Sequence, residues 1–298
     1  MRPRGLILFA LLSVIWGIPY FMIRIAVAEI SPASLVFFRT LIAAALLLPV
    51  AVLRVDLRPT LRRWPWVIAF SVVEIAIPWV MLGAAEQEIS SSMAGLLIAG
   101  VPLAGTAIAL LSGSGHRVDR LALVGMLLGL AGVAGIVGAG FETSGILPLA
   151  QMGVVVVGYA LGPAILSRHL SGLPSSAVMG LALAFSAILY LPISVATGWP
   201  TTLPSPGVVA SVIVLGVVCT AAAFLVFAAL VEEVGPVRST VITYVAPAVA
   251  AVAGVLVLGE TLTLAMVLGF VLVIAGSGLA TRPAPSSPGT RSAPPASA

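Results

Sequence analysis

Long apolar runs alternate with short polar breaks along most of the chain. Each run has about 20 residues, the length that an α-helix needs to cross the hydrocarbon core of a bilayer. Because the runs are continuous rather than alternating, and because an open sheet cannot pair its edges in lipid, the pattern favours helices over strands. The sequence predicts ten spans: Leu6–Ala28, Ser34–Leu53, Trp64–Ala85, Ser91–Leu111, Leu121–Gly140, Gly145–Ser167, Ser175–Ala196, Gly207–Leu230, Val237–Leu258 and Leu262–Ala280.

Composition strengthens this interpretation. Apolar residues make up 60% of the 298 positions and charged residues only 8%, whereas soluble domains are about half apolar and a quarter charged. The bilayer must therefore act as solvent for most of the chain, and we expect an all-α, multi-pass protein of the plasma (inner) membrane. The basic residues lie in short breaks rather than on one amphipathic face, so nucleic acid is not an expected partner.

Charge placement predicts the orientation, because basic residues concentrate in cytoplasmic loops. One set of breaks carries eleven of the fourteen arginines, and the alternate breaks carry glutamates with Arg238 as the one accompanying arginine. Both termini are therefore expected in the cytoplasm. The arginines of the first set are Arg2, Arg4, Arg54, Arg58, Arg62, Arg63, Arg117, Arg120, Arg168, Arg282 and Arg291.

The two halves of the chain resemble each other at an offset of about 144 residues. This offset spans five predicted helices, and because five is odd the second half enters the membrane from the opposite side. Such an inverted repeat is typical of transporters that alternate access around a central site. We predict a first five-helix repeat at 1–140, a second at 141–281 and a disordered cytoplasmic tail at 282–298. The matching positions include Pro19 with Pro163, Arg24 with Arg168, Pro102 with Pro247, and Gly125 with Gly269.

Several short motifs, in order and at consistent spacing, resemble the drug/metabolite transporter superfamily, specifically its EamA-type exporters with two five-helix repeats. The resemblance covers Leu6 to about Ala280 and implies export of small metabolites, amino acids or drugs without ATP. The chain departs from the pattern at Gly115-His116, at Glu74 and at Gly162-Pro163. The motifs are Trp16-Gly17 with Tyr20, Arg39 with Ala43, Ala85-Glu86-Gln87 with Ile89-Ser90-Ser91, Pro102-Leu103 with Thr106, and Gly235, Arg238, Thr243-Tyr244, Pro247 and Leu258-Gly259-Glu260.

Glu74 is the one carboxylate near the middle of a predicted span. A charge at that depth is costly, so Glu74 should face the bundle interior or water. It is a candidate for proton coupling and substrate binding in a pocket formed by the second, third, fourth, seventh, eighth and ninth spans with parts of the first and sixth. The alternative is a protonated, hydrogen-bonded packing residue.

Arg39 lies about five residues inside the second predicted span. It is a candidate to recruit a substrate carboxylate, although a snorkelling arginine has the same sequence signature. Glu86 is a candidate gate residue that pairs with Arg39 or Arg238, and the alternative is an exposed loop residue. These assignments predict a substrate path lined by charge.

Aromatic side chains with a polar tip suit a cavity for mixed metabolites, although they also pack in cores. Trp64, Trp66 and Trp199 lie at segment ends and are better explained as interface anchors. The candidates for cavity lining are Trp16, Tyr20, Trp79, Tyr159 and Tyr244.

The other function classes have weaker support. An intramembrane enzyme needs a nucleophile with its base or a metal site, but the single Cys219 and the two histidines lack metal-ligand spacing. We therefore predict no enzymatic activity, no metal and no cofactor. A non-transporting scaffold or receptor and a channel stay open, as does the oligomeric state, including a monomer. The expected partners are a small-molecule substrate and the lipid bilayer.

Overall fold

The computed structural model of the protein describes residues 3–111, 120–235, 239 and 241–281, and these residues form helices and no strand. Eight helices are long and apolar enough to cross a membrane, and two further apolar helices are shorter. We name them α1 to α10 in chain order. They are α1 Pro3–Ala26, α2 Pro32–Arg54, α3 Trp64–Ala85, α4 Ser91–Leu111, α5 Arg120–Gly138, α6 Ile146–His169, α7 Ser175–Gly198, α8 Pro206–Val234, α9 Ile242–Leu258 and α10 Leu264–Ala280.

These helices confirm the predicted fold class, which is an all-α membrane protein. The helices α9 and α10 have 17 residues each, which is at the short end of what crosses a hydrocarbon core. That all ten helices cross the membrane, and that the two halves enter it from opposite sides, stay predictions. Arg238, Gly115-His116 and the predicted tail at 282–298 lie outside the described residues.

Hydroxyl side chains begin several helices where the apolar runs resume. Ser31 accepts the backbone N–H of Ser34 at 3.1 Å, and Ser90 accepts that of Met93 at 3.2 Å. Such caps satisfy N–H groups that the first helical turn leaves unpaired. The short polar breaks therefore end one helix and begin the next, which keeps consecutive helices close.

The two halves contact each other through equivalent pairs of helices. Helix α2 packs against α7, α4 against α9 and α5 against α10. Helix α1 of the first half packs against α8 and α9, while α6 of the second half packs against α3 and α4. These contacts between the halves thus follow a pattern that repeats five helices along the chain.

Small residues bring α5 and α10 together. A Cβ on Gly125 would lie 2.6 Å from the carbonyl oxygen of Gly276, and a Cβ on Gly132 would lie 2.5 Å from that of Gly269. Backbones approach this closely in membranes where glycines leave room. Gly125 and Gly132 therefore allow α5 and α10 to pack closely.

The α-helical hydrogen bonding is interrupted near two of the four prolines that match between the halves. The α-helical hydrogen bonding of α1 is interrupted at Ile18, before Pro19, and that of α4 at Ala99–Gly100, before Pro102. The equivalent residues Pro163 and Pro247 lie inside uninterrupted helices. Two π-helical turns, Ser71–Ala76 in α3 and Val217–Ala222 in α8, have no proline within them.

Candidate functional site: a buried arginine among aromatic rings

Arg39 is the centre of a polar cluster inside the bundle. Helix α2 buries it, with 8% of the residue exposed. Its guanidinium carbon lies 3.6 Å from the centroid of the Trp79 ring on α3, and its Nε donates to the hydroxyl of Thr220 on α8 at 3.0 Å. Guanidinium groups stack well on aromatic faces. The snorkelling alternative for Arg39 is therefore wrong in this structure.

No carboxylate of the described residues forms an ion pair with Arg39. Among the described residues, the ion pair within 4.0 Å is Arg4 with Glu233, far from α2 in sequence. A buried cation without an anionic partner is costly. The cluster thus has a cationic group whose planar N–H fork is only partly engaged by the protein, which is the arrangement that binds a carboxylate or another oxyanion.

Two tyrosines lie close enough to Arg39 to interact with it electrostatically. Tyr20 on α1 is buried, and Tyr159 on α6 is half-buried. Tyr159 and Phe38 contact both of the two largest apolar cores of the molecule. The cluster therefore lies at the junction of these cores, where several helices meet.

Three members of the cluster lie at matching depth. Tyr20 is six residues before the end of α1, Arg39 seven residues after the start of α2, and Trp79 six residues before the end of α3. With a rise of 1.5 Å per residue, these positions are about 9–11 Å from the helix ends that share the glutamate-bearing breaks. The matching depth explains why residues so distant in sequence converge.

Thr220 was not predicted from the sequence. Its hydroxyl donates to the carbonyl oxygen of Leu215 at 2.8 Å, five residues back, and accepts from Arg39. This bond belongs to the π-helical turn of α8, which also buries Cys219. π-Turns occur frequently at functional sites, but a run of apolar and small residues has no sequence signal for one.

Glu74 lies in the other π-helical turn, in the middle of α3. Its side chain packs on Gly162 of α6 so closely that a Cβ at Gly162 would overlap the carboxylate. Its Oε2 atom is buried and has no hydrogen-bond partner among the described residues. Glu74 therefore faces the α3–α6 interface and not the lipid.

Glu86 follows α3 and is fully buried, so the exposed-loop alternative is wrong. Both carboxylate oxygens lack a hydrogen-bond partner among the described residues, and the backbone carbonyl accepts from the guanidinium of Arg24. Glu86 is not in contact with Arg39, and its other candidate gate partner, Arg238, lies outside the described residues. The predicted gate stays untested.

Two predicted lining residues do not join the cluster. The Trp16 ring lies 5.2 Å from that of Phe227 and belongs to a separate apolar core with Leu12 and Leu230. Tyr244 on α9 is half-buried and has no contact with the cluster in the described interactions. The structure thus brings together Tyr20, Arg39, Trp79 and Tyr159, with Glu74 and Glu86 close by.

The cluster is suited to binding rather than to covalent chemistry. Among the described residues, no group of three histidine, cysteine or acidic side chains is arranged to hold a metal ion. A cation, aromatic faces and hydroxyl groups are what a small ligand with an anionic end requires.

Comparison with known proteins identifies the family of the chain. The model of the EamA-like transporter family matches the chain twice, at residues 3–138 and 149–282. The two matches cover the two halves that the internal offset indicates and together span most of the chain.

Two bacterial proteins and one solved structure are also similar. The uncharacterized inner membrane transporter YedA of Escherichia coli K12 is 31% identical over 261 residues, covering 86% of this chain and 83% of that protein. The uncharacterized transporter YvbV of Bacillus subtilis is 26% identical over 281 residues, covering 92% and 90%. A crystal structure with 22% identity superposes with a TM-score of 0.64 over 94% of this chain and 97% of that chain, and it shares the fold.

Proposed function

The chain belongs to the EamA-like transporter family, and we propose that it is a secondary active exporter of small metabolites, amino acids or drugs that works by alternating access. We assign substrate binding to the cluster around Arg39. The preferred substrates carry an anionic or zwitterionic end beside an apolar or aromatic part.

The observation that carries this proposal is the incomplete pairing of Arg39. The guanidinium is buried, stacks on Trp79 and donates from Nε to Thr220, yet no described carboxylate contacts it. A substrate carboxylate would engage the free edge of the guanidinium bidentately. Trp79, Tyr20 and Tyr159 would contact the remainder of the substrate.

Alternating access requires two related halves that move against each other. The double family match and the reciprocal helix packing support two five-helix repeats, which we propose to be inverted, with ten crossings and both termini in the cytoplasm. The π-helical turns at equivalent places in α3 and α8 support the same relationship. Inverted repeats commonly enclose the substrate site of secondary transporters.

We assign proton coupling to Glu74. An ionised carboxylate without a partner is costly in a dry interface, and Oε2 of Glu74 has no hydrogen-bond partner among the described residues. Its protonation would therefore differ between a closed, dry conformation and an open, wet one. That difference links a proton gradient to the conformational equilibrium.

Proteoliposomes test both assignments. Wild-type protein, Arg39→Ala and Glu74→Gln are compared in counterflow exchange and in uptake driven by an imposed pH gradient, with a panel of anionic, zwitterionic and neutral amino acids and drugs. Glu74→Gln should keep exchange and lose pH-driven accumulation. Arg39→Ala should reduce apparent affinity for anionic and zwitterionic substrates by a factor of at least about 30, as expected when a buried charge pair loses one partner.

Three outcomes separate the alternatives. If Glu74→Gln still concentrates substrate at the wild-type level, Glu74 is a packing or recognition residue and not the coupling group. If Arg39→Ala weakens neutral and anionic substrates equally, the arginine does not select charge. A wild-type protein that moves none of the panel would favour a receptor or scaffold.

The proposed topology has its own test. In a protein without Cys219, a cysteine at position 142 should react with a membrane-impermeant maleimide in intact cells. A cysteine at position 62 should react only after permeabilisation, because it lies in an arginine-rich break. The reverse labelling pattern would overturn both the orientation and the inverted-repeat proposal.

A further inference from the structure

A pocket lies where α3 begins and α6 ends. Its volume is about 300 Å³. Three of its six lining residues are arginines and none is acidic; the lining residues are Arg62, Arg63, Pro65, Trp66, Arg168 and His169. None of these residues belongs to the Arg39 cluster, so the substrate site does not explain this concentration of positive charge.

Contacts within the pocket organise two of its walls. The guanidinium of Arg63 donates to the backbone carbonyl of His169 at 2.6 Å, and the rings of Trp66 and His169 stack with centroids 3.5 Å apart and an interplanar angle of 1°. These contacts join the start of α3 to the end of α6. The remaining two arginines, Arg62 and Arg168, are exposed and form no ion pair within 4.0 Å among the described residues.

The surroundings of the pocket are those of a membrane surface. Trp64 is 60% exposed and Trp66 is 42% exposed, although both are large apolar residues at the end of a membrane-spanning helix. Exposed tryptophans at such ends are typical of the level of the lipid headgroups. Leu61, which is 50% exposed, adds apolar surface beside the arginines.

We propose that this pocket binds the phosphate of an anionic phospholipid headgroup and thereby holds the ends of α3 and α6 together. Arginine forks match phosphate oxygens in geometry and charge, and basic pockets between membrane helices bind anionic headgroups. A lipid is favoured over free phosphate because exposed tryptophan and leucine side chains flank the pocket at the membrane surface and provide contacts for the glycerol and acyl region. This site requires only that the protein spans the membrane, so it stands independently of the transported substrate.

Native mass spectrometry of the full chain in detergent tests the site. The probes are phosphatidylglycerol, phosphatidylcholine and inorganic phosphate, each at the same concentration. The test variant is Arg62→Gln/Arg168→Gln, because these two arginines have no described hydrogen bond within the protein. The matched control is Arg54→Gln/Arg58→Gln, which removes the same charge from exposed positions outside the pocket.

The wild-type protein and the control should retain phosphatidylglycerol in preference to phosphatidylcholine. The test variant should bind phosphatidylglycerol roughly tenfold more weakly or worse, on the scale expected for two lost contacts between arginine and an anionic headgroup. The single variant Arg168→Gln should lie between the two and provides the same comparison if the double variant is poorly folded.

Two results would overturn the proposal. An equal loss of phosphatidylglycerol in the test and control variants would show a general effect of net charge. Binding of inorganic phosphate that competes with phosphatidylglycerol at equal concentration would show an oxyanion site without lipid selectivity.

Discussion

The third helix of each half contains a π-helical turn, and the two turns differ in their chemistry. The turn in α3 places Glu74, whose Oε2 has no hydrogen-bond partner among the described residues, against Gly162. The turn in α8 begins 146 residues later and places Thr220, whose hydroxyl bonds to both Leu215 and Arg39. The backbone irregularity is thus repeated while the side chains are not.

Because their side chains differ, the two π-helical turns have different roles, whereas in a symmetric site both turns would have the same role. A π-turn widens the helix locally and exposes backbone carbonyls to side-chain donors. In α8 the extra space lets a hydroxyl orient the cation, and in α3 it places a carboxylate against a neighbouring helix. We infer that the second half contributes Thr220, which orients Arg39 for substrate recognition, and that the first half contributes both Arg39 and the titratable Glu74.

The largest expected effect comes from filling the space beside Glu74. Gly162→Ala should destabilise the protein by about 3 kcal/mol, since overpacking a tight contact has costs of this size, and should abolish pH-driven accumulation by displacing the carboxylate. The matched control is Gly153→Ala on the same helix, where an added Cβ meets nothing within 4 Å. Thermal unfolding in detergent and pH-driven uptake are the measurements.

This prediction would be contradicted if Gly162→Ala were as stable as Gly153→Ala and accumulated substrate equally well in a pH gradient. Glu74 would then have room to move, and its closeness to α6 would not restrict its protonation.

The second prediction tests the other turn. Thr220→Val removes the acceptor of the Arg39 Nε bond and should raise the apparent Kd for anionic substrates on the order of 30-fold, since a hydrogen bond to a charged group contributes about 2 kcal/mol. Thr220→Ser keeps the hydroxyl and should bind like the wild-type protein. Counterflow titration measures both variants, and equal affinity in Val and Ser would show that Arg39 needs no orientation from α8.

Much of the fold followed from the sequence because its signals are local. Ten apolar runs, hydroxyl caps and glycine stripes each act within a few residues, and all ten predicted spans contain a described helix. The ends are less well determined: the predicted ninth span begins at Val237, outside the described residues, whereas α9 begins at Ile242. The arginine-rich breaks alternate with glutamate-bearing breaks, and the orientation that this alternation indicates stays a prediction.

The site was only partly predictable. Arg39, Trp79, Tyr20 and Tyr159 were recognisable because polar groups within apolar runs are unusual. Thr220 was missed because a threonine in a helix is ordinary, and only the π-turn aims it at α2. Trp16 has the same composition signal as Trp79, yet it faces Phe227 in a separate core, and periodicity cannot tell two buried faces apart.

Each half of the molecule also contributes a carboxylate that caps a helix of the other half. Glu260, from the connection between α9 and α10, accepts the backbone N–H groups of Ser91 and Ser92 at the start of α4, at 2.7 and 2.8 Å. Glu29, from the connection between α1 and α2, accepts the N–H of Ser205 before α8 at 2.8 Å. Each half therefore places a carboxylate at a helix N-terminus of the other, where negative charge is favourable.

The two caps should differ in strength. Glu260 also accepts the Ser92 hydroxyl and is partly buried, so Glu260→Gln should destabilise the protein by about 1 kcal/mol through the loss of charge at the helix end. The apparent Tm in detergent should fall by roughly 2–4 °C. An unchanged Tm would show that the neutral amide caps α4 equally well, and the contact between the halves would then not depend on charge.

The smallest effect is expected at Glu29, and it should depend on pH. Hydrogen bonds from the hydroxyl and the backbone N–H of Ser205 lower the pKa of the Glu29 carboxyl below its usual value. A group whose pKa is lower in the folded state stabilises the protein above the unfolded-state pKa, and this contribution is lost as the pH falls through the folded-state pKa. The Tm difference between wild type and Glu29→Gln should therefore be small at neutral pH, should shrink as the pH falls below about 4, near the ordinary glutamate pKa, and should vanish only below the lowered pKa of the folded state. Glu88→Gln, at an exposed position with no described side-chain hydrogen bond, is the control and should show no such trend. A Glu29 difference that persists unchanged at acidic pH would show that the carboxylate charge does not stabilise the contact with α8, and Glu260 would then be the one charged cap between the two halves among the described residues.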